Sequence, residues 1–513
     1  MNRARQWSRL EEHQNGPVDI LVIGGGATGL GIAIDAATRG LSVVLVERND
    51  FAAGTSSRST KLIHGGVRYL RQGQVSLVRD SLRERGRLVK NAPGLVHSLN
   101  FVIPCFKFWE KPFYGMGMAT YDLLAGSFGW DHSQLLSREE TAEKLPGANT
   151  SGLLGGVLYQ DGQFDDTRLA LAIARTAINY GATVLNHAEV VELKHEKGRV
   201  CGAVVRDRSV RAQVGAPEKT LEIRAKVVVS AAGVFSEELM RLDTRDAEAG
   251  VTAAQGAHIV LDRSFFPAGN ALMVPKTDDG RVLFLIPWHG HVLVGTTDTP
   301  VTKISAEPVP LAEEIAYLLD YSGRYLAKKP GRSDILSQFA GLRPLVRPTG
   351  QVKSTAAVSR DHKIFVSGSG LMSIIGGKWT TFRKMAEDLV DQATKQGGWG
   401  TRPCRTADLP LDEGADSPGF DRSTELNAPQ IDAALTLTDP MIRRMINDEM
   451  AETVADVLAR RHRALFVDAS AAIRVSGRVS AMLASVKGWS PAVMEQQRAD
   501  FERLALGYRS VIQ

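Results

Sequence analysis

The chain has 513 residues, which at roughly 150 per domain predicts about three folding units and a core that needs no disulfides. Hydrophobic content of 43% and charged content of 23% are ordinary for a globular protein and exclude a disordered or fibrous chain. A net charge of +5, from 62 basic and 57 acidic residues, is too small and evenly spread for a nucleic-acid partner, but suits an anionic small substrate or membrane surface.

Residues 1–16 hold Arg3, Arg5 and Arg9 with no apolar run behind them, so no secretory signal is expected. No stretch reaches the ~18 consecutive apolar residues of a membrane-spanning helix. Residues 18–23 read as a buried parallel strand, followed at once by Gly24-Gly25-Gly26-Ala27-Thr28-Gly29, a helix over 30–39 stopped by Gly40, and a second strand at 43–46 ending in Glu47. This is a complete β-α-β unit. Short β elements are expected at 189–193, 200–206, 221–224 and 226–230, then at 258–261, 282–287 and 292–295. An antiparallel set of this kind, inserted into a nucleotide fold, predicts a substrate domain on its own sheet. Ile364-Phe365-Val366, a glycine-rich turn and a helix through 384–390 return to the nucleotide fold.

Residues 397–420 lack any period and read as a linker. Beyond them Ile442, Met445, Ile446, Met450, Val454, Val457 and Leu458 recur at helical spacing, and Ser490-Pro491 is a helix start. The boundaries are therefore 17–396 for two interleaved domains, nucleotide-binding mainly at 17–90, 150–250 and 340–396, substrate-binding mainly at 91–149 and 251–339. A helical domain at 421–513 follows the linker. Cys105, Cys201 and Cys404 lie far apart without paired spacing. Neither a disulfide framework nor a zinc-type motif is present, no metal is expected, and a reducing cytoplasm is the natural setting.

Three glycines carry separate tasks in the dinucleotide fingerprint. Gly24 permits the tight turn, Gly26 lets backbone approach a pyrophosphate, and Gly29 lets helix and strand pack closely. Ala27 and Thr28 open a helix whose free N–H groups face the phosphates. Glu47 is placed to accept from the ribose hydroxyls of an adenosine. Thr55, Ser56 and Ser57 add hydroxyls in a loop suited to the other side of the pyrophosphate. Ala232 and Gly233 end a strand in small residues that permit close approach, and Gly376-Gly377-Lys378, leading to Thr380, offers a further helix start. NAD and FAD share this half-site.

The stretches Lys61-Leu62-Ile63-His64-Gly65-Gly66-Val67-Arg68-Tyr69-Leu70, Gly341-Leu342-Arg343-Pro344-Leu345 and Gly376-Gly377-Lys378-Trp379-Thr380-Thr381 closely resemble the FAD-dependent glycerol-3-phosphate dehydrogenase family. Gly256-Ala257-His258-Ile259-Val260 and Gly295-Thr296-Thr297-Asp298 are similar to two more of its blocks, and Met450 to Arg461 is similar to its C-terminal domain. The likeness spans nearly the whole chain. It departs at Gly233-Val234-Phe235, where the family usually has Gly-Pro-Trp, and at Ala257, where it usually has Ser.

The resemblance implies an α/β fold: a Rossmann-type FAD-binding domain, an antiparallel-sheet substrate domain of the amino-acid-oxidase kind, and a C-terminal helical domain. It implies FAD as cofactor, with Lys61, Leu62, His64, Gly65, Gly66, Val190 and Trp379 among its contacts. It further implies oxidation of sn-glycerol 3-phosphate to dihydroxyacetone phosphate, with electrons passed to membrane quinone in glycerol catabolism. Such a substrate needs permanent cations, and Arg68, Arg343, Arg360 and Lys378 sit in or beside the matched blocks; Tyr69 has a hydroxyl to donate. A base must take the alcohol proton, and among 11 histidines His258 and His64 fall in those blocks. Arg343 and Lys378 compete for a catalytic role, acting on the developing alkoxide.

Aromatics concentrate at 99–130, including Phe106, Phe108, Trp109, Phe113 and Tyr114, interrupted by Lys107 and Lys111 and preceded by Arg79, Arg83, Arg85, Arg87 and Lys90. This pattern fits a surface dipping into headgroups on the inner face of the cell membrane, and equally an aromatic core beside a solvated basic helix. Two other activities stay open, a glycerol-phosphate oxidase using oxygen and a redox-sensing FAD or NAD module without turnover. The pattern is compatible with a monomer or a homodimer.

Overall fold

In the computed structural model the strand Val18–Ile23 runs parallel to Val43–Val46 on one side and to Thr220–Ser230 on the other. The described residues are all but 71–72, 210–218, 245–249, 348–360, 415–424, 426 and 511–513, and the side chains of Arg68 and Ser127. Thr183–Leu185 extends the sheet past Val43–Val46, and Met372–Gly376 extends it past Thr220–Ser230, with His362–Val366 antiparallel at the edge. Such a sheet must be covered on both faces, which is why Val18–Ile23 is apolar apart from Asp19. Ile20, Val22, Leu45 and Val229 pack under the helices Ala27–Thr38, Asp166–Asn179 and Phe382–Gly397. Leu21, Ile23, Val44 and Val228 face the other way, onto the hairpin Ala188–Glu196 and Arg199–Asp207 and the N-terminal helix Arg3–Glu12.

That hairpin divides the expected antiparallel set. The strands expected near 189–230 continue the nucleotide sheet, because the single strand Thr220–Ser230 pairs with the hairpin through its first half and with Val18–Ile23 through its second. The substrate sheet draws on elements from both sides of that stretch, including Gly155–Phe164, which the expected boundaries had placed in the nucleotide-binding part. Among the described residues it has ten strands, with Val251–Asp262 antiparallel to both Ile335–Val346 and His291–Gly295, then Leu283–Trp288, Ala271–Val274, Val96–Cys105 and Gly155–Phe164 in order. One face carries Ile259, Leu285 and Val294 against the helix Ala312–Tyr325.

The other face shares its core with the C-terminal helices. Phe101, Tyr159, Val260 and Phe339 pack with Ile442, Val454, Phe466, Val475 and Phe501 in one cluster. The periodic run expected from 442 to 458 is broken: helix Asp439–Asp448 ends, Met450 takes a left-handed φ of 56°, and a separate helix covers Asp456–Arg461. The break leaves Glu449 and Asp456 facing inward to arginines. Ser490 caps the last helix, Pro491–Leu506, as expected. Residues 397–414 are no loose tether, since Leu411 N–H bonds Asn91 O at 2.7 Å and Gly94 N–H bonds Glu413 at 3.0 Å.

Candidate active site

Residues of both sheets and of the C-terminal helices line one cavity of about 1110 Å³. An ordinary small-molecule pocket has roughly 300–1,000 Å³, so this one has room for a large cofactor with a substrate beside it. Its cofactor end begins at the glycine turn. Gly24 has φ 116°, and a Cβ there would meet Ala231 O at 2.6 Å; a Cβ on Gly29 would meet Gly24 O at 1.8 Å. Only glycine permits this turn and this helix–strand approach. A Cβ on Gly26 would stand 3.1 Å from Ser56 Oγ, narrowing the cleft where backbone has to meet phosphate. The helix Ala27–Thr38 has no side-chain cap from Gly26, so its N–H groups and dipole are open to an anion, apart from Ala27 N–H, which bonds Ser56 Oγ at 3.0 Å.

Glu47 accepts from Gly25 N–H and Asn49 N–H, both at 2.7 Å, which holds its carboxylate at the cavity wall. Burial raises its pKa against those backbone bonds. Loops from distant parts of the chain are tied together here: Trp379 Nε1–H donates to Ser56 O at 2.8 Å and Thr55 Oγ1–H to Leu342 O at 2.6 Å. A bound dinucleotide diphosphate with a ribose against Glu47 fits this donor set.

Gly24, Gly26, Ala27, Thr28, Glu47, Thr55, Ser56, Leu62, His64, Gly66, Val190, Ala232, Gly233, Gly377, Lys378, Trp379 and Thr380 all line the cavity. Four expected contacts stand behind its wall. Gly29 is spent on packing; Ser57 Oγ–H turns back to Gly54 O at 3.4 Å; Gly65 N–H donates to Tyr121 OH at 2.8 Å. Lys61 points away, its ammonium 2.6 Å from Asp166 and 2.7 Å from Ser57 O, fully buried. Burial, partly offset by Asp166, brings its pKa down to about 7.

The substrate end joins Tyr69, His258, Arg343 and Lys378. Arg343 donates to Asp298 at 3.1 Å, Thr296 Oγ1 at 3.1 Å and Thr297 O at 3.0 Å, so its guanidinium plane is fixed. Gly256 gives it room, since a Cβ there would lie 2.3 Å from Arg343 Nη2. Lys378 Nζ stands 4.9 Å over the Tyr69 ring. Arg68 lies in the helix Val67–Leu70 with its side chain outside the described residues, and Arg360 lies outside them altogether.

His258 is buried, with Nε2 at 2.9 Å from Thr60 Oγ1 and Nδ1 without a hydrogen-bond partner among the described residues. Burial first, then Lys61 and Arg343, hold its pKa well below 6.5, so the ring is neutral at working pH and has a nitrogen able to accept a proton. Sequence reasoning missed Thr60, which steers this ring, and Asp298, which fixes Arg343. Both stand in or next to the matched blocks, which was the available signal. It also missed Arg58 and Arg460, cavity-lining arginines whose partners Glu307 and Asp50 are remote in sequence.

The sequence profile of FAD dependent oxidoreductases matches residues 19–383, and that of the C-terminal domain of alpha-glycerophosphate oxidase matches 420–494. A mitochondrial glycerol-3-phosphate dehydrogenase of Arabidopsis thaliana is 39% identical over 94% of this chain and 85% of its own. The mitochondrial glycerol-3-phosphate dehydrogenase of Homo sapiens is 36% identical over 99% of this chain and 76% of its own. The crystal structure of a glycerol-3-phosphate dehydrogenase from Bacillus halodurans, complexed with FAD, superposes with a TM-score of 0.78 at 31% identity, covering 100% of both chains. With its FAD-type cavity and these relatives along nearly its full length, the chain belongs to the family of FAD-dependent glycerol-3-phosphate dehydrogenases.

Proposed function

We propose that this chain oxidises sn-glycerol 3-phosphate to dihydroxyacetone phosphate in glycerol catabolism and passes the electrons to a membrane quinone. The observation that carries this reading is a buried, neutral His258 on the same cavity wall as Arg343 and Lys378. The fixed fork of Arg343 and the point charge of Lys378 hold a phosphate dianion. Their charge also favours the alkoxide that develops as the hydroxyl proton leaves. His258 takes that proton on a ring nitrogen while Thr60 fixes the ring plane. Bound FAD supplies the hydride acceptor, chemistry that no side chain here provides.

The relatives named glycerol-3-phosphate dehydrogenase support the substrate. For quinone access, support comes from one surface. Around the helix Glu110–Ala125, Phe108 is 86% exposed, Leu123 81% and Met116 70%, with Trp109 and Phe113 also in solvent. Lys107 stands 5.9 Å over the Trp109 ring. Apolar tips with a basic flank suit a peripheral contact with anionic headgroups on the cytoplasmic face. The expected basic helix contributes less: in Val75–Asn91, Arg85 is buried on Asp161 at 2.9 Å and Arg87 pairs with Glu84 at 2.6 Å. Among the described residues no helix is long and apolar enough to cross a membrane.

Anaerobic titration of the yellow protein tests the proposal. Glycerol 3-phosphate bleaches the flavin band and glycerol at the same concentration does not; equal bleaching by both removes the phosphate site. The match of 420–494 to an oxidase domain favours oxygen as a second acceptor. Stoichiometric peroxide without quinone would establish that reading instead.

A further inference from the structure

The turn after the second parallel strand, Glu47 to Asp50, is gripped from the far end of the chain. Asp50 is completely buried. One carboxylate oxygen accepts from Asn186 Nδ2 at 2.8 Å and Arg461 Nη2 at 2.9 Å, the other from Arg460 Nε at 2.9 Å and from Arg461 Nη1. Both arginines belong to the helix Asp456–Arg461. Arg460 also reaches Asp456 at 2.7 Å, and Asp456 accepts from His187 Nε2 at 2.8 Å and from the N–H groups of Glu452 and Thr453 at 2.8 and 3.0 Å. His187 closes the circuit, its backbone N–H bonding Asn49 O at 2.6 Å.

Asp50, His187 and Asp456 bring ligand atoms within 4.8 Å of one another, the spacing of a metal site. Each carboxylate oxygen is already engaged by a guanidinium, amide, imidazole or backbone N–H. A cation would have to displace the arginines that neutralise the same buried charge, leaving them unpaired. The cluster is therefore a clamp, and what it clamps is the segment carrying Glu47, whose carboxylate is itself bonded to Asn49 N–H. Thr453, Ala455 and Arg460 line the same cavity as Glu47.

We propose that the C-terminal domain is a working part of the dinucleotide site: Asp456, Arg460 and Arg461 fix the Glu47–Asp50 turn so that Glu47 meets the ribose of FAD. Affinity for the cofactor then depends on a helix 411 positions away in sequence, counted from Asp50 to Arg461. The three are positioning residues, acting through Glu47, and the proposal rests on the reading of Glu47 as the ribose acceptor.

FAD titrated into full-length apoprotein, followed by quenching of flavin fluorescence, tests this in Glu47→Gln, Asp456→Asn, Arg460→Lys and the paired variants. Glu47→Gln weakens FAD. Asp456→Asn and Arg460→Lys each weaken it about tenfold with Glu47 present, and less than about twofold further in the Glu47→Gln background, the signature of residues acting through one another. Arg460→Lys keeps the buried charge and loses only the fork, so it decides the matter where Asp456→Asn does not fold. Unchanged affinity in Glu47→Gln overturns the ribose reading. Wild-type affinity in the clamp variants while Glu47→Gln is impaired, or equal losses in both backgrounds, overturns the clamp.

Discussion

The imidazole of His258 lies face to face with the ring of Phe339, centroids 4.8 Å apart and planes within 13°. Lys61 stands 5.3 Å from that same ring, and its charge acts on the histidine beside the apolar plane. Both oppose its protonation. An unfolded chain binds a proton at this residue below about pH 6.5, whereas the native state does not. The His258 contribution to stability is thus complete above that pH and is lost as pH falls below it. Thermal melts between about pH 7.5 and pH 5.5 should fall in midpoint, and less steeply for His258→Asn. With FAD bound, the same variant should lose about 10²–10⁴-fold in kcat.

Arg343 donates to Asp298, Thr296 Oγ1 and Thr297 O at once. Arg343→Ala removes the fork from the substrate end and touches nothing at the glycine turn. We expect KM for glycerol 3-phosphate to rise about 10–100-fold, the size of a lost charged hydrogen bond or two, with flavin content unchanged. Ordinary steady-state kinetics would exclude Arg343 from the site.

Gly26→Val sets a branched side chain where a Cβ alone already stands 3.1 Å from Ser56 Oγ. The purified variant should be colourless and should take up no FAD in equilibrium dialysis. A yellow, stoichiometric variant would put the diphosphate elsewhere.

Lys61 and Asp166 form a buried pair at 2.6 Å. Lys61→Met leaves Asp166 with Arg463, 3.4 Å away, as its one ion-pair partner among the described residues. Denaturant melts at neutral pH should show a loss on the order of 3 kcal/mol. Because burial lowers the Lys61 pKa from 10.5 to about 7, the unfolded chain holds more protons between those values, and wild-type stability gains with pH there. The variant should lose that slope; an unaltered slope would assign it to other groups.

Phe108, Met116 and Leu123 are the most exposed apolar side chains of the aromatic region. Changing all three to Ser should reduce co-sedimentation with vesicles containing anionic lipid several-fold, leaving soluble-acceptor kinetics intact. Undiminished sedimentation would point to another surface.

The glycine turn was legible because backbone geometry allows few residues there: Gly24, Gly26 and Glu47 stand where their spacing required. Lys61 was misread because it adjoins cavity residues Thr60 and Leu62, whereas its own backbone takes a left-handed φ of 62° and its side chain leaves the cavity wall for Asp166. Nothing local to residue 61 reveals Asp166 waiting behind it. The aromatic region was legible only as alternatives, and the fold divides it, with Phe101 and Tyr121 in the core and Phe108 in solvent. The Asp50 clamp was invisible for a simpler reason. Ion pairs across hundreds of residues leave no period or motif for a linear reading to detect.

The hydrogen bond from Trp379 to Ser56 spans 323 positions. A growing polypeptide therefore exposes an open edge on Val18–Ile23 until its partner Thr220–Ser230 emerges, and possesses no complete flavin cradle until most of its length has been translated. Loading with FAD must come late in biosynthesis, and the half-made product is the stage most vulnerable to aggregation and to chaperone capture.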